Sequence, residues 1–347
     1  MEHFQWSLPC DPSELVHFRK RIGEAVVEKI FQASVAIHGK AGFEREVVID
    51  TTVQEKNITF PTDTKLRVKV MSRYWKVALE EGLQLRRSYR RELKKTLRTI
   101  RFSKKQADKK KVAAAIRRIR TMANALLRDV MRKLPEHSFV ASHEEFENYR
   151  RALNQERHDK NKIYSLHEPD VLCISKGKEH KKYEFGAKAA IAMTKDTCII
   201  VGAKNFNSNV YDGDTLKEVL SQITAVRGKS PEKAFCDRGF RGRKQVGGTA
   251  IVLPKPPVPR DSEYAKRKAR KDFGRRSAIE PVIGHLKNVF RLARNYLKGT
   301  IGDAINLLLA AAAFNMKKWM NALPQGLFFV LLFLCGMNLQ EEANASS

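Results

Sequence analysis

Three acidic residues are candidates for phosphate chemistry because of the segments that carry them. Asp50 and Asp237 each end a short apolar run typical of a buried strand, and Glu280 lies in a helical pattern rich in cations. In open α/β sheets functional groups collect at the carboxyl ends of strands, so we expect the three carboxylates to converge. Carboxylates suit Mg²⁺ or Mn²⁺, and two such ions ~3.5–4 Å apart promote water attack on a phosphate. We therefore predict Asp50, Asp237 and Glu280 as catalytic residues and as ligands of two Mg²⁺ or Mn²⁺ ions.

Basic residues surround Glu280 at helical spacing. Arg276 lies four residues before Glu280 and Lys287 seven residues after it, so a helix places all three on one face. We expect Arg291 and Arg294 to continue this basic stripe. A carboxylate held among cations suits a metal ion bound against a polyanion, and it is unusual on an ordinary solvated surface.

A second basic segment directly follows Asp237. Its sequence, Arg238-Gly239-Phe240-Arg241-Gly242, combines cations with glycines that let the backbone approach a phosphate closely. Together with the stripe around Glu280, this turn supplies the predicted DNA-binding residues. They are Arg276, Lys287, Arg291, Arg238 and Arg241.

Each acid also has a simpler structural interpretation. Taken alone, Asp50 is better explained as a turn cap, and Glu280 could be an ordinary acid at a helix N-terminus. Asp212 and Asp214 stand just before another predicted helix and are interpreted as helix caps. The functional interpretation depends on the combination of three acids with the cations near them.

The overall charge narrows the choice of partner. The chain has 347 residues, a net charge of +28 and a pI near 10.0, which implies a polyanion, most simply nucleic acid. A ribosomal or membrane surface would fit the charge as well. The five cysteines include no CxxC pair, so neither a zinc knuckle nor a disulfide framework is indicated. The apolar run 326–337 is shorter than the ~20 residues that span a bilayer, so we predict no membrane partner.

The order of patterns predicts an α/β fold: a mixed sheet with flanking helices and a long basic helical insertion after the first strand. Residues 86–133 hold 19 Lys or Arg against three acids, which favours two basic helices that contact DNA. A solvated helical hairpin is the alternative. The predicted domains are a helical DNA-binding region (1–45), a catalytic domain (46–65 and 161–320), the basic helical insertion (66–160) and an apolar and polar C-terminal tail (321–347).

Several of these motifs resemble those of one protein family. Arg276, Glu280 and Lys287 match the Tyr-x2-Arg-x3-Glu-x6-Lys signature of bacterial insertion-sequence transposases with a DDE domain, in the group of insertion sequence families 4 and 5. Phe273 stands at the tyrosine position. The segment 237–242 resembles the family's Asp-x-Gly-Tyr-x-Gly, with Phe for Tyr, and Val48-Ile49-Asp50-Thr51-Thr52 resembles its first-aspartate strand.

The resemblance implies a ribonuclease H-like DDE catalytic domain and Mg²⁺-dependent cleavage of DNA strands at element ends, followed by strand transfer. It also implies binding of terminal inverted repeats and target DNA by a homo-oligomer, in the cytoplasm of a bacterium and associated with its nucleoid. Relatives have a longer helical N-terminal region, so the chain is expected to be truncated there.

Two other functions remain open from the sequence. The chain could be a catalytically inactive, transposase-derived DNA-binding protein, which would bind DNA in a salt-sensitive way without cleaving it. An RNA-binding protein of the ribosome would explain the charge alone. It would leave the placement of the three acids unexplained.

Overall fold

The strands of this chain form where β-branched and apolar residues run together, as in Val47-Val48-Ile49. The structure is a computed structural model in which residues 11–103, 108–156, 158–175, 182–254 and 262–323 are described. The first ten residues of the predicted N-terminal region and the predicted tail beyond 323 lie outside the described residues.

The described elements confirm a mixed α/β protein with a mixed sheet and flanking helices. The strands are β1 (Glu46–Glu55), β2 (Leu172–Ser175), β3 (Tyr183–Thr194), β4 (Ile200–Phe206), β5 (Lys233–Phe235), β6 (Gln245–Val246) and β7 (Thr249–Val252). The helices are α1 (Pro12–Ala36), α2 (Asp63–Glu80), α3 (Arg90–Phe102), α4 (Lys109–Lys133), α5 (Glu136–Ala141), α6 (His143–Asn154), α7 (Asp212–Arg227), α8 (Glu263–Gly274), α9 (Ile279–Asn288) and α10 (Gly299–Ala322).

The chain divides into two units. The first comprises residues 1–56 and 186–347, and the second comprises residues 57–185. In the first unit the strand order is β4-β3-β1-β5-β7-β6. Strand β3 runs antiparallel to β1 and β4, whereas β5 runs parallel to β1 and β7.

The pairing of β1 differs on its two sides. Its register with β3 extends from Val47 to Glu55, but its register with β5 covers only Glu46 to Val48. The part of β1 beyond Val48 therefore borders the place where β5 has already ended. This difference decides where the carboxylates of the candidate site lie.

Helices pack on the sheet of the first unit through one apolar core. Helices α7 and α10 both contact β4, and α9 contacts β1. The core includes Ile49, Ile191 and Leu286, all fully buried. Helix α10 is long and apolar enough to cross a membrane by length and composition, but half of its most apolar window is buried inside the protein. Helix α10 is therefore assigned to the core of the first unit.

The second unit is helical and has a core of its own. Tyr74 of α2, Leu126 of α4 and Tyr149 of α6 lie in this core. The two basic helices predicted between 86 and 133 are present as α3 and α4. Leu93 of α3 and Ile119 of α4 are buried in this core, and most of the cations of the two helices are exposed.

Candidate active site

Asp50 lies in the middle of β1. The prediction that it ends the strand is wrong, because Thr51, Thr52 and Val53 are β-branched and continue the pairing with β3. Asp50 is partly exposed, and its Oδ1 accepts a hydrogen bond of 2.7 Å from the backbone N–H of Thr51. The candidate site therefore lies beside the end of the neighbouring strand β5, and not at the end of β1.

Asp237 lies directly beyond that end of β5. Its Oδ1 accepts a hydrogen bond of 2.8 Å from the backbone N–H of Gly239, which caps the short 3-10 helix Arg238–Phe240. Phe240 is fully buried and anchors this turn to the core. The register pairs Val48 with Phe235, and Asp50 and Asp237 each stand two residues further along. Adjacent strands lie about 4.8 Å apart, so the two aspartates are neighbours across the sheet.

The buried thiol of Cys236 lies near several charged groups at the end of β5. Burial raises the pKa of Cys236, the negative charges of Asp237 and Asp50 raise it further, and the positive charge of Arg276 opposes them. Phe273 packs edge-on against Phe235 with ring centroids 5.8 Å apart, which brings the segment leading to Arg276 against β5. Two of the predicted carboxylates and one predicted DNA-binding arginine are thus gathered around Cys236.

Glu280 lies in the first turn of α9 and is exposed. The buried residues Ile279, Val282 and Leu286 hold this helix, which contacts β1. Within the described residues, no three His, Cys, Asp or Glu side chains are close enough together to hold a metal ion. The structure therefore does not bring Glu280 into one cluster with Asp50 and Asp237, and the three-carboxylate metal site stays a prediction.

The predicted basic stripe is interrupted. Lys287 lies on α9 with Glu280, but Arg276 belongs to the 3-10 helix Arg275–Ala278 that precedes α9. Arg291 and Arg294 lie beyond the end of α9, and Arg291 has a φ of 59°. The prediction that these two residues continue the basic stripe along the helix is therefore wrong. The left-handed residue redirects the chain so that Leu292 is fully buried in the core. Arg238, Arg241 and Arg291 are all exposed.

Sequence reasoning missed the role of Asp212. Its Oδ1 lies 2.6 Å from Lys188 Nζ and accepts a hydrogen bond of 2.9 Å from Thr51 Oγ1. The N-cap of α7 is Tyr211, which makes no side-chain capping bond, so the interpretation of Asp212 as a cap is wrong. Nothing in the local sequence signals its partners, because Thr51 is 161 residues away.

Comparison with known proteins supports one family. Residues 157–316 match the family model described as Transposase DDE domain. The chain is also similar to the uncharacterized protein ORF8 in the nfe locus of Rhizobium meliloti, with 38% identity over 99 residues. That match covers 27% of this chain and 48% of the relative, so it spans about half of the relative's length. No solved structure matches the chain significantly. The family match supports a DDE transposase.

Proposed function

We propose that this chain is a DDE transposase that cleaves DNA strands at insertion-sequence ends and transfers them into target DNA. The observation that carries the proposal is the adjacency of Asp50 and Asp237 at the end of β5, around one thiol that both charges affect. Asp237 and Glu280 both lie within the region that matches the transposase DDE domain.

The donor chemistry fits Mg²⁺ or Mn²⁺. Asp50 and Asp237 offer carboxylate oxygens at one edge of the sheet, and hard cations prefer such ligands. Glu280 would complete the set from α9, which contacts β1. When two such ions are bound, they supply activation of a water molecule and stabilisation of the leaving oxygen of a phosphodiester. The first unit itself supplies the rigid strands that orient the carboxylates.

The cations near this edge would hold the DNA backbone. Arg276 already lies close enough to affect Cys236, and Arg238 and Arg241 are exposed on the turn that follows Asp237. Their guanidinium groups can each donate two hydrogen bonds to a phosphate, which positions the strand without reading its sequence. Lys287 and Arg291 are proposed to extend this contact.

The second unit would add a further contact with DNA. The exposed faces of α3 and α4 carry cations such as Arg91, Lys95 and Arg117. Neutralising phosphates releases counterions, so this contribution would weaken as salt rises. We propose that the inverted repeats and the target DNA are both bound by a homo-oligomer in the bacterial cytoplasm, at the nucleoid.

A ribonuclease H-like fold is part of the proposal. Its support is a mixed sheet in which the antiparallel strands β1, β3 and β4 are followed by the parallel strands β5 and β7. We further propose the catalytic domain at 46–65 and 161–320, with the basic helices inserted between the two segments. Residues 1–45 would be a DNA-binding region.

The test is cleavage of the DNA that carries the ends of the parent element. Wild-type protein with Mn²⁺ is expected to nick this DNA, and Asp237→Asn and Glu280→Gln are each expected to reduce the rate at least 100-fold. Asp196→Asn, which changes an exposed acid in the same unit, serves as the matched control and is expected to cut normally. Equal cutting by wild type and Asp237→Asn would refute the proposal. Salt-sensitive binding without any Mn²⁺-dependent cutting would identify an inactive DNA-binding protein instead.

A further inference from the structure

One acidic side chain beside the candidate site has no role in the chemistry proposed above. Asp212 begins α7 and is partly buried, and its Oδ1 is held by Lys188 and Thr51. Lys188 is itself buried, with 7% of its surface exposed, and it also donates a hydrogen bond of 2.6 Å to the carbonyl oxygen of Val210. Two separate strands, β1 and β3, therefore hold one carboxylate.

Asp212 approaches the site from the face of β1 opposite to Asp50. Side chains alternate along a strand, so Thr51 points away from the face that carries Asp50. Lys188 pairs with Val53 in the register of β1 and β3, two residues from Thr51 and on the same face. Asp212 is therefore placed behind Asp50, in a position to support the site without sharing a ligand position with Asp50.

The other oxygen of Asp212 faces the turn that carries Asp237. A Cβ placed on Gly239 would lie 3.0 Å from Asp212 Oδ2 and 2.9 Å from Asp237 Oδ1. The space that a side chain at position 239 would occupy thus lies between the two carboxylates, and glycine leaves it open. Two negative charges this close repel one another, and the ammonium group of Lys188 at 2.6 Å compensates the charge of Asp212.

Helix α7 contacts the same turn at a second point. Tyr211 Oη donates a hydrogen bond of 3.3 Å to the carbonyl oxygen of Arg241, and Gly213 allows the Tyr211 ring to approach closely. The start of α7 therefore contacts the backbone of Arg241, a predicted DNA-binding residue, and also lies beside the turn that carries Asp237. It approaches the turn 237–241 at its middle, beside Gly239, and contacts it at its end, at Arg241.

We propose that Asp212 is a positioning residue, which holds the Asp237 turn against β1 through Thr51, Lys188 and Gly239. Its task is to keep Asp237 beside Asp50 before any ion binds. The inference rests on the proposed function. A fixed Asp237 turn matters because it holds Asp50 and Asp237 ready as a pair of metal ligands. Partners that orient metal ligands from behind usually change metal affinity or activity by ~10–100-fold when removed.

The first test is hydrogen exchange, which needs neither metal nor activity. The N–H of Gly239 is bonded to Asp237 Oδ1, so peptides that cover 237–243 report the order of the turn. Asp212→Ala is expected to speed exchange in these peptides at least tenfold while the peptides of β3 remain protected. Glu218→Ala is the matched control, since Glu218 is an exposed acid of the same helix but lies beyond its first turn.

Asp212→Ala leaves the Lys188 ammonium buried without its carboxylate and could unfold the protein. The double variant Asp212→Leu with Lys188→Met replaces the ion pair by apolar groups, which is often neutral for stability. This variant is expected to melt near the wild-type temperature and still to show fast exchange at 237–243. If the folded double variant exchanges there as slowly as the wild type, the proposal is overturned.

Mn²⁺ binding, measured by electron paramagnetic resonance, gives the second readout. We expect the double variant to bind Mn²⁺ at least tenfold more weakly than wild type, and Glu218→Ala to bind it within twofold. Unchanged Mn²⁺ affinity in the double variant would overturn the positioning role. Wild-type protein that binds no Mn²⁺ in an Asp237-dependent way would instead overturn the proposed function, while hydrogen exchange would still decide whether Asp212 orders the turn.

Discussion

Lys56 and Asp303 form a buried ion pair between the segment after β1 and helix α10, with Nζ and Oδ1 2.8 Å apart. Their side chains are 4% and 7% exposed. Asn295 and Gln54 also donate to Oδ1, at 2.6 Å and 3.1 Å. Burial nevertheless raises the pKa of Asp303, although Lys56 and the two amides act in the opposite direction. Desolvation therefore outweighs the attraction between the two charges.

Because desolvation dominates, removing one partner of this ion pair should destabilise the protein more than replacing both partners with apolar residues. Asp303→Ala should lower the free energy of unfolding by about 3–5 kcal/mol, because the buried Lys56 ammonium loses its counter-charge. The double variant Asp303→Leu with Lys56→Met should lie within about 1 kcal/mol of wild type or be more stable. Urea denaturation of both variants checks this.

The control is the exposed pair of Arg45 and Glu232, whose side chains are 78% and 51% exposed. Arg45→Ala should change the free energy of unfolding by no more than about 1 kcal/mol. If the double variant at 56 and 303 is as unstable as Asp303→Ala, desolvation does not outweigh the attraction between Lys56 and Asp303.

A side chain at position 239 should displace the carboxylates beside it. The Cβ of Gly239→Ala would meet two carboxylate oxygens at 2.9 Å and 3.0 Å, so Asp237 or Asp212 must move. We expect at least tenfold weaker Mn²⁺ binding and a comparable loss of DNA cleavage, because Asp237 leaves its place beside Asp50. Calorimetric titration with Mn²⁺ measures the first effect.

Gly284→Ala is the matched control for that substitution. Gly284 lies inside α9, and an added Cβ would meet nothing within 4 Å. Alanine should stabilise the helix by about 0.5–1 kcal/mol and leave Mn²⁺ affinity unchanged. Equal Mn²⁺ affinity in both glycine variants would show that the turn has room to adapt.

The folded protein should lose stability in acid partly through Glu46. Burial acts to raise the pKa of this carboxyl, but hydrogen bonds from Lys195 and Lys233 lower it below its usual value of 4.5. A carboxyl with a lowered pKa contributes stability above its unfolded pKa and loses it as the pH falls through its folded pKa. Glu46→Gln should therefore flatten the decline in stability below about pH 4.5.

Urea midpoints between pH 3 and pH 7 measure this difference. Glu232→Gln, a change at an exposed glutamate of the same unit, is the control and should follow the wild-type curve. Parallel curves for Glu46→Gln and wild type would mean that the two lysines do not act on Glu46 in solution.

The turn after Asp237 should contact DNA phosphates rather than bases. Arg238→Ala and Arg241→Ala should each weaken binding of all DNA sequences alike, because backbone contacts carry no sequence information. Each lost phosphate contact should reduce the slope of log K against log salt by about 0.9. Fluorescence anisotropy at several salt concentrations gives the slopes, with Lys229→Ala, a change at an exposed cation just after α7, as the control. A sequence-selective loss would point to contact with base edges.

Several features of the fold could be predicted from the sequence because they depend on local pattern. The β-branched run before Asp50 forms β1, and the basic segment between 86 and 133 forms α3 and α4. The spacing of Glu280 and Lys287 places both on α9. These predictions needed only strand and helix periodicity, which nearby residues determine.

The places where the sequence predictions were wrong have non-local causes. Asp50 was expected at a strand end, but the end that matters belongs to β5, a strand far along the chain. Arg291 was expected on a helix, but burial of Leu292 ends the helix before it. Local periodicity contains no information on which neighbouring strand stops first or which side chain the core will bury.

By itself, the sequence determined the acids, the cations and the resemblance to a transposase domain, because residue type and spacing are sufficient for these. Only the tertiary structure decided that Asp50 and Asp237 are neighbours across β1 and β5, and that Asp212 supports them from behind. The reason is physical: strand register and the contact through Gly239 join residues that are far apart in the chain, and only packing brings them together.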